Sequence, residues 1–366
     1  MGKAYNSSEL CLIWLDSFVG LEYKHKQELY KLINGKTEIK NVLVSGKEYL
    51  ESQIGAERFN LLLSSANPVY LNFILEGLKN RGVTAVTIVS QEYPELLKNT
   101  DLPPLVLYAK GNLDLLNEKS FAVVGSRKSL PISIKLAESY VETLISAGFV
   151  PVTGIAEGVD KAVIDTALKK DGKVISVLAG GIDFIYPSQH QTVVGNIIES
   201  GLVISEYPPE IQVRPYHFPI RNRIIAGLST GALIVSAGKK SGTLYTAEYA
   251  EQYGRDLFAV PYSVGVSSGA GCNDLIKRGA ILTDSPDDLL EFYKIEKEKT
   301  EVSLTETERL VVEALKDGGL HLEKIALSLG KKVFEITPTL QIMEIKGLVV
   351  KTGVNIYGLA RNDLEA

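Results

Sequence analysis

The chain has 366 residues, 45% hydrophobic and 23% charged, with 39 basic against 44 acidic side chains and a net charge of −5. That composition is that of a globular protein of two or three domains, and the acidic balance argues against broad electrostatic binding of duplex DNA while leaving room for a local basic groove. No apolar run is long enough to span a membrane, no export signal is recognisable, and the distant pair Cys11 and Cys272 forms no disulfide framework; a cytoplasmic protein with no membrane partner is expected.

Residues 1–80 read as a helical N-terminal domain, with apolar clusters at 10–15, 29–33 and 59–63 joined by polar turns. Nine basic and nine acidic residues leave this segment without electrostatic pull. Phe18-Val19-Gly20-Leu21 suggests a helix-hairpin-helix-like or SAM-like turn, but it lacks the second glycine that lets a DNA backbone approach.

From residue 81 the texture changes. Apolar strands are predicted at 83–89, 105–109, 121–124, 150–153, 173–178, 202–205, 232–236 and 257–260. Helices are predicted between them at 132–147, 159–170, 192–200, 220–228 and 243–253. This alternation specifies an α/β core over 81–293, an extended Rossmann-like and mostly parallel sheet covered on both faces. Its ligands belong at the carboxyl ends of the strands, near a switch in strand order. Residues 294–303 form a charged linker. Helical patterns at 306–315, 322–329 and 334–346, then strands at 348–352 and 355–359, make 304–366 a winged-helix-like domain. Its third helix carries Glu335 and Glu344 against Lys346, and residues 300–366 hold eight basic and ten acidic side chains. A groove-reading helix needs more positive charge.

The loops after the strands carry the candidate chemistry. His217 to Ser229 places Phe218, Arg221, Asn222 and Arg223 at a helix N-terminus. There unpaired N–H groups attract phosphate, guanidinium forks bind it bidentately, and an aromatic ring can stack a base. Gly125, Ser126, Arg127 and Lys128 form a tight turn between strand and helix, with Ser126 able to donate to phosphate. Gly154 and Gly158 bracket a second turn, with Asp160 in the helix behind it. Gly180-Gly181 opens a third loop in which Tyr186 can stack. Lys239, Lys240, Ser241 and Gly242 lead into another helix. Residues 265–273 read as a flexible Gly/Ser loop. The four histidines show no metal spacing, and neither a P-loop, a dinucleotide fingerprint nor a nucleophile elbow is present. No catalytic set, metal or cofactor is expected, and binding is favoured over turnover.

Taken together, these motifs resemble the DNA-processing protein A (DprA/Smf) family. The resemblance runs in order from about residue 82 to 291. It comprises Tyr93-Pro94 with Leu97, Pro103-Pro104, Val124-Gly125-Ser126-Arg127, and Gly154-Ile155-Ala156-Glu157-Gly158-Val159-Asp160. It continues through Gly181-Ile182-Asp183, Tyr186-Pro187, Ser205-Glu206-Tyr207, His217 to Ser229, and Ser241-Gly242-Thr243. It closes with Gly254-Arg255-Asp256, the run from Gly271-Cys272-Asn273 to Ile276, and Gly279-Ala280. The resemblance implies a homodimer, joined through the Rossmann-like core, that binds single-stranded DNA and delivers it to RecA recombinase during natural transformation. It implies that Arg127 contacts phosphate, that Phe218 stacks on a base, and that Arg221, Asn222 and Arg223 line the groove, with Arg214 adjacent. It implies that Gly125 and Gly154 allow close approach of the strand. Three positions depart from the family pattern: Glu157 and Ser188 stand where many members have a basic residue, and Pro215 where a lysine is common. The alternative is a nucleotide hydrolase of the lysine-decarboxylase-like Rossmann group, because Ser241-Gly242-Thr243 is similar to that group's loop. Its catalytic acid would have to be Glu248, which is displaced.

Overall fold

The protein is described by a computed structural model that covers residues 3–18, 21–33, 43–170, 172–296 and 304–360. Two compact units result, Met1–Lys297 and Glu298–Ala366. Val19 and Gly20, the centre of the suggested hairpin turn, and most of the charged linker lie outside the described residues.

Nine strands carry the first unit: β1 (Thr84–Thr87), β2 (Val106–Gly111), β3 (Ser120–Gly125), β4 (Val150–Thr153), β5 (Ile175–Val177), β6 (Leu202–Ser205), β7 (Gly231–Ser236), β8 (Asp256–Ala259) and β9 (Ile281–Leu282). Their order is β1-β2-β6-β5-β4-β3-β7-β8-β9. From β6 to β9 every pairing is parallel, while β1 and β2 add antiparallel at one edge. Strands with helices on both faces have no solvent side, so Phe121, Ala122, Val123, Val124 and Ala232 to Val235 are all buried in sequence, without alternation. The order reverses between β3 and β7. Chains leaving those two strands diverge, and a crevice opens at their carboxyl ends.

All eight strands read from the sequence are present, with bounds within two residues. The ninth, β9, is two residues long and offers no periodicity to detect. The expected Gly/Ser loop at 265–273 differs more. Its second half opens a helix at Ala270–Lys277, and Gly269 and Gly271 serve packing. A Cβ on Gly271 would stand 2.8 Å from the carbonyl oxygens of both Ala237 and Gly238. A further short helix, Asp287–Tyr293, was also not apparent in the sequence.

The N-terminal helices α1 (Ser7–Ser17) and α2 (Tyr23–Ile33) do not stand apart from the sheet. Asn6 caps α1 and Glu9 closes the capping box, and Glu9 also accepts from Ser90 Oγ at 2.5 Å. Trp14 is buried, its Nε1–H donating to the Ser65 carbonyl at 3.1 Å. Asp16 accepts from Lys26 Nζ at 2.9 Å and from the Tyr108 hydroxyl, on β2, at 2.9 Å. Cys11, Leu12, Ile13, Trp14 and Leu15 of α1 and Leu29 of α2 share one apolar cluster with the sheet. The boundary expected at residue 80 is therefore internal to one compact unit, because helix and sheet bury each other's apolar faces.

The second unit has its own core, built from Val311, Val312, Leu315, Ile325, Ile336, Leu340 and Met343. Helices Glu306–Leu315, Leu322–Ser328 and Val333–Ile345 accompany a three-stranded sheet in which Leu320–His321 joins the two wing strands Val349–Gly353 and Ile356–Leu359. Lys346, which caps the third helix, pairs with Glu308 at 2.7 Å, in keeping with a helix too poor in positive charge to read a groove. No helix among the described residues is long and apolar enough to cross a membrane.

Tyr108→Phe tests the tie between α1 and the sheet. It leaves one oxygen of Asp16 buried without its donor and should cost about 1–3 kcal/mol, read as a lower denaturant midpoint. An unchanged midpoint would show that Lys26 alone satisfies that carboxylate.

Candidate nucleic-acid interface

The crevice at the β3–β7 reversal encloses about 770 Å³. One wall is the loop after β3, another the loop after β7, and a third the first turns of helix α3 (His217–Leu228). That helix starts three residues before the expected Ile220, which puts Phe218 in its first turn. His217 anchors the start: Nδ1 lies 3.0 Å from the Ala179 carbonyl, and Tyr207 stacks on the ring at 4.2 Å. Burial holds its imidazole below the usual pKa, as does Arg214 nearby. Phe218 is half-buried, with the Arg127 guanidinium 5.0 Å from its ring centroid. Tyr186, 55% exposed, meets the same ring edge-on at 6.0 Å. A cation and two aromatic rings therefore share one wall of the crevice, and both rings line it.

The two helix arginines part company. Arg221 is buried beneath the crevice, with Nη1 donating to the Val177 carbonyl at the end of β5. Its Nε donates to Asn222 Oδ1 at 3.1 Å, and Asn222 Nδ2 in turn donates to the Gly242 carbonyl at 3.2 Å. Burial pulls the Arg221 guanidinium down to about 10, against the field of Asp160, which supports its charge. Burial pushes Asp160 up, and Arg221 opposes that shift. Arg223 does not line the crevice, contrary to expectation. Two residues after Arg221, and so about 200° further round the helix axis, it leaves on another face, is buried, donates from Nη2 to Glu206, and lies over the Tyr23 ring at 5.7 Å.

Several loop residues expected to meet a ligand are committed to the protein instead. Ser126 donates its amide to the Ser236 carbonyl at 2.9 Å and its hydroxyl to the same oxygen at 3.2 Å, so neither donor is free for phosphate. A Cβ on Gly125 would stand 2.4 Å from Val159 Cγ2, and one on Gly154 would stand 2.5 Å from Asp160 Oδ2 and 2.6 Å from Arg221 Nη2. These glycines admit neighbouring side chains of the fold rather than DNA. Ser241 Oγ donates to Thr243 Oγ1 at 3.0 Å, and Lys239 faces Asp274 at 3.6 Å. Gly242 borders open space. Arg127, Lys128, Arg214 and Lys240 are exposed and form no ion pair among the described residues. Glu248, the acid a hydrolase would need, is exposed and does not line the crevice. Burial raises both cysteine thiols to about 12.

A sequence model of the family described as DNA recombination-mediator protein A matches residues 84–294. The DNA processing protein DprA of Bacillus subtilis is 35% identical over 219 residues, which is 60% of this chain and 74% of that one. The corresponding protein of Streptococcus pneumoniae is 41% identical over 204 residues, 56% of this chain and 72% of that one. The X-ray structure of the S. pneumoniae protein superposes with a TM-score of 0.67 at 31% identity, covering 80% of this chain and 98% of the other. A Helicobacter pylori DNA processing protein A structure, described for its single-stranded DNA binding mode, gives 0.53 at 28% identity, covering 58% and 95%.

The contrast between arginines is testable. Arg223→Ala leaves Glu206 buried without its partner and should cost about 3–5 kcal/mol of stability. Arg127→Ala removes an exposed group and should stay within about 0.5 kcal/mol of the parent. Paired chemical melts check both; equal losses would mean that Arg127 is a structural residue.

Proposed function

The chain belongs to the DNA recombination-mediator protein A (DprA/Smf) family, and from that membership we propose that the crevice at the β3–β7 reversal binds single-stranded DNA. The protein protects incoming DNA and hands it to a RecA recombinase during natural transformation. It works as a homodimer joined through the Rossmann-like core, in the cytoplasm, as a mediator and not an enzyme. The observation that carries the reading is the Arg127 guanidinium set 5.0 Å from the Phe218 ring on the wall of an open crevice. A cation for the backbone lies over a ring that can take a base, on one wall of the crevice. In a duplex the base faces are already stacked and cannot reach Phe218; in a single strand they can.

Arg127, Lys128, Arg214 and Lys240 supply the phosphate contacts in this reading. If all four engage, the logarithm of affinity should fall against that of salt with a slope near −3, from about 0.7 per phosphate on a single strand. Asn222 acts through the Gly242 carbonyl, holding the loop after β7 against the helix. Arg221 lines the floor of the crevice, as expected, and positions that helix from below.

Fluorescence anisotropy over a salt series tests the reading, with single strands and matched duplexes compared. Phe218→Ala should weaken single-strand binding by about 1–3 kcal/mol with little change in salt slope. Arg127→Ala should weaken it by about 1–3 kcal/mol and flatten the slope by about 0.7. Duplex binding as tight as single-strand binding would sink the proposal.

Removal of residues 298–366 provides a separate check. That unit has its own core, and residues 300–366 carry eight basic against ten acidic side chains. Single-strand affinity of the remaining chain should match the full chain within about twofold, because a segment of negative net charge adds no phosphate contacts. A tenfold loss would show that the second unit holds DNA.

A further inference from the structure

A second, smaller cavity of about 150 Å³ opens beside the crevice, and Arg127, Tyr186 and Phe218 line both. Phe184 adds a third aromatic ring to the small one, and Glu157 adds a carboxylate. Its volume suits one flat ring system and not a length of backbone.

Glu157 is out of place on a phosphate-binding surface. Its side chain is 57% exposed, and Oε1 lies 2.7 Å from Nε2 of the buried His190, whose Nδ1 is 3.1 Å from the Ile155 carbonyl. The histidine fixes the orientation of the carboxylate and leaves Oε2 without a protein partner. A carboxylate repels phosphate and accepts hydrogen bonds only, so the Glu157 side of the cavity suits a base that offers N–H donors, while Arg127 and Arg221 on its other side suit acceptors.

The four bases differ sharply in that respect. Guanine presents two adjacent donors, N1–H and the N2 amino group, which match the two oxygens of a carboxylate. Thymine has a single N3–H between two carbonyl oxygens. Adenine and cytosine set a ring-nitrogen acceptor next to their amino group, which a carboxylate repels. Guanine also carries O6 and N7, the acceptors that an arginine fork takes. In a single strand the Watson–Crick edge is free to be read in this way.

We propose that the small cavity takes an unstacked guanine of the bound single strand, with Glu157 accepting from N1–H and the N2 amino group, O6 turned to the guanidinium side of the cavity while Arg127 keeps its phosphate, and the rings of Phe184, Tyr186 and Phe218 bordering the base. This rests on the single-strand reading above and adds a base preference to a surface whose stacking and phosphate contacts are otherwise indifferent to sequence. The fold supplies the cavity, and Glu157 supplies the choice.

The test uses labelled oligothymidylate carrying isolated, well-spaced substitutions by guanine, adenine or cytosine, in lithium buffer so that no quadruplex forms. The full chain and its Glu157→Gln variant are compared by anisotropy. The guanine strand should bind the parent about tenfold more tightly than plain oligothymidylate, and in the variant the four strands should converge to within about twofold, because the glutamine amide replaces one acceptor by a donor. Equal affinity of the parent for all four strands overturns the guanine site while leaving single-strand binding intact. A guanine preference that survives in Glu157→Gln overturns the role of the carboxylate. Failure of every strand to bind overturns the underlying reading and the guanine site with it.

Discussion

The guanidinium of Arg221 is buried beneath the crevice, and the arrangement of the crevice hangs on it. Taking such a charge out of water costs several kcal/mol unless partners surround it. Here the Val177 carbonyl takes one N–H, Asn222 takes another, and Asp160 contributes its field. The contacts reach the end of β5, helix α3 itself and, through Asn222, the loop after β7. Gly154 is glycine because a Cβ there would collide with both Asp160 and Arg221. Phe218 lies one helical turn before Arg221, so fixing the arginine fixes the ring. A platform held this way needs no ordering when a ligand arrives, and that spares the entropy a loop would lose.

Charge is divided by depth. Arg221 and Arg223 serve the fold, while Arg127, Lys128, Arg214 and Lys240 remain at the surface. A chain of net charge −5 can therefore offer a cationic groove without being a basic protein. The same separation explains the second unit, where Lys346 is neutralised by Glu308 and the third helix exposes Phe334, Ile342 and Ile345. Phosphate finds little to bind on that helix.

Arg223 extends the same helix in another direction. Its pairing with Glu206 joins α3 to the end of β6, and its place over Tyr23 joins it to α2. Asp16, Lys26 and Tyr108 form a second polar tie a short way along. The N-terminal helices thus brace the far side of the helix that carries Phe218. Each tie is polar and buried, so its partners are costly to remove one at a time.

Much of this was legible in the sequence. Unbroken apolar runs with helical periodicity between them determined a parallel sheet covered on both faces, and the strands from β1 to β8 follow those runs closely. The order of the loop motifs determined the family, and the spacing of Phe218 and Arg127 from neighbouring strands marked both as residues of the carboxyl edge. Which polar group faces a ligand and which faces the protein was decided only by tertiary structure. Arg221 and Arg223 are two residues apart on a helix, so their side chains leave it on different faces, and neither direction can be read without knowing what packs there. Ser126 and Gly125 read as ligand contacts until Ser236 and Val159, more than thirty residues away in the chain, arrive to occupy them. The capture of α1 and α2 by the sheet was hidden for the same reason. Local pattern reports how a segment buries its own apolar face, whereas a pairing such as Asp16 with Tyr108 depends on long-range packing that no local window contains.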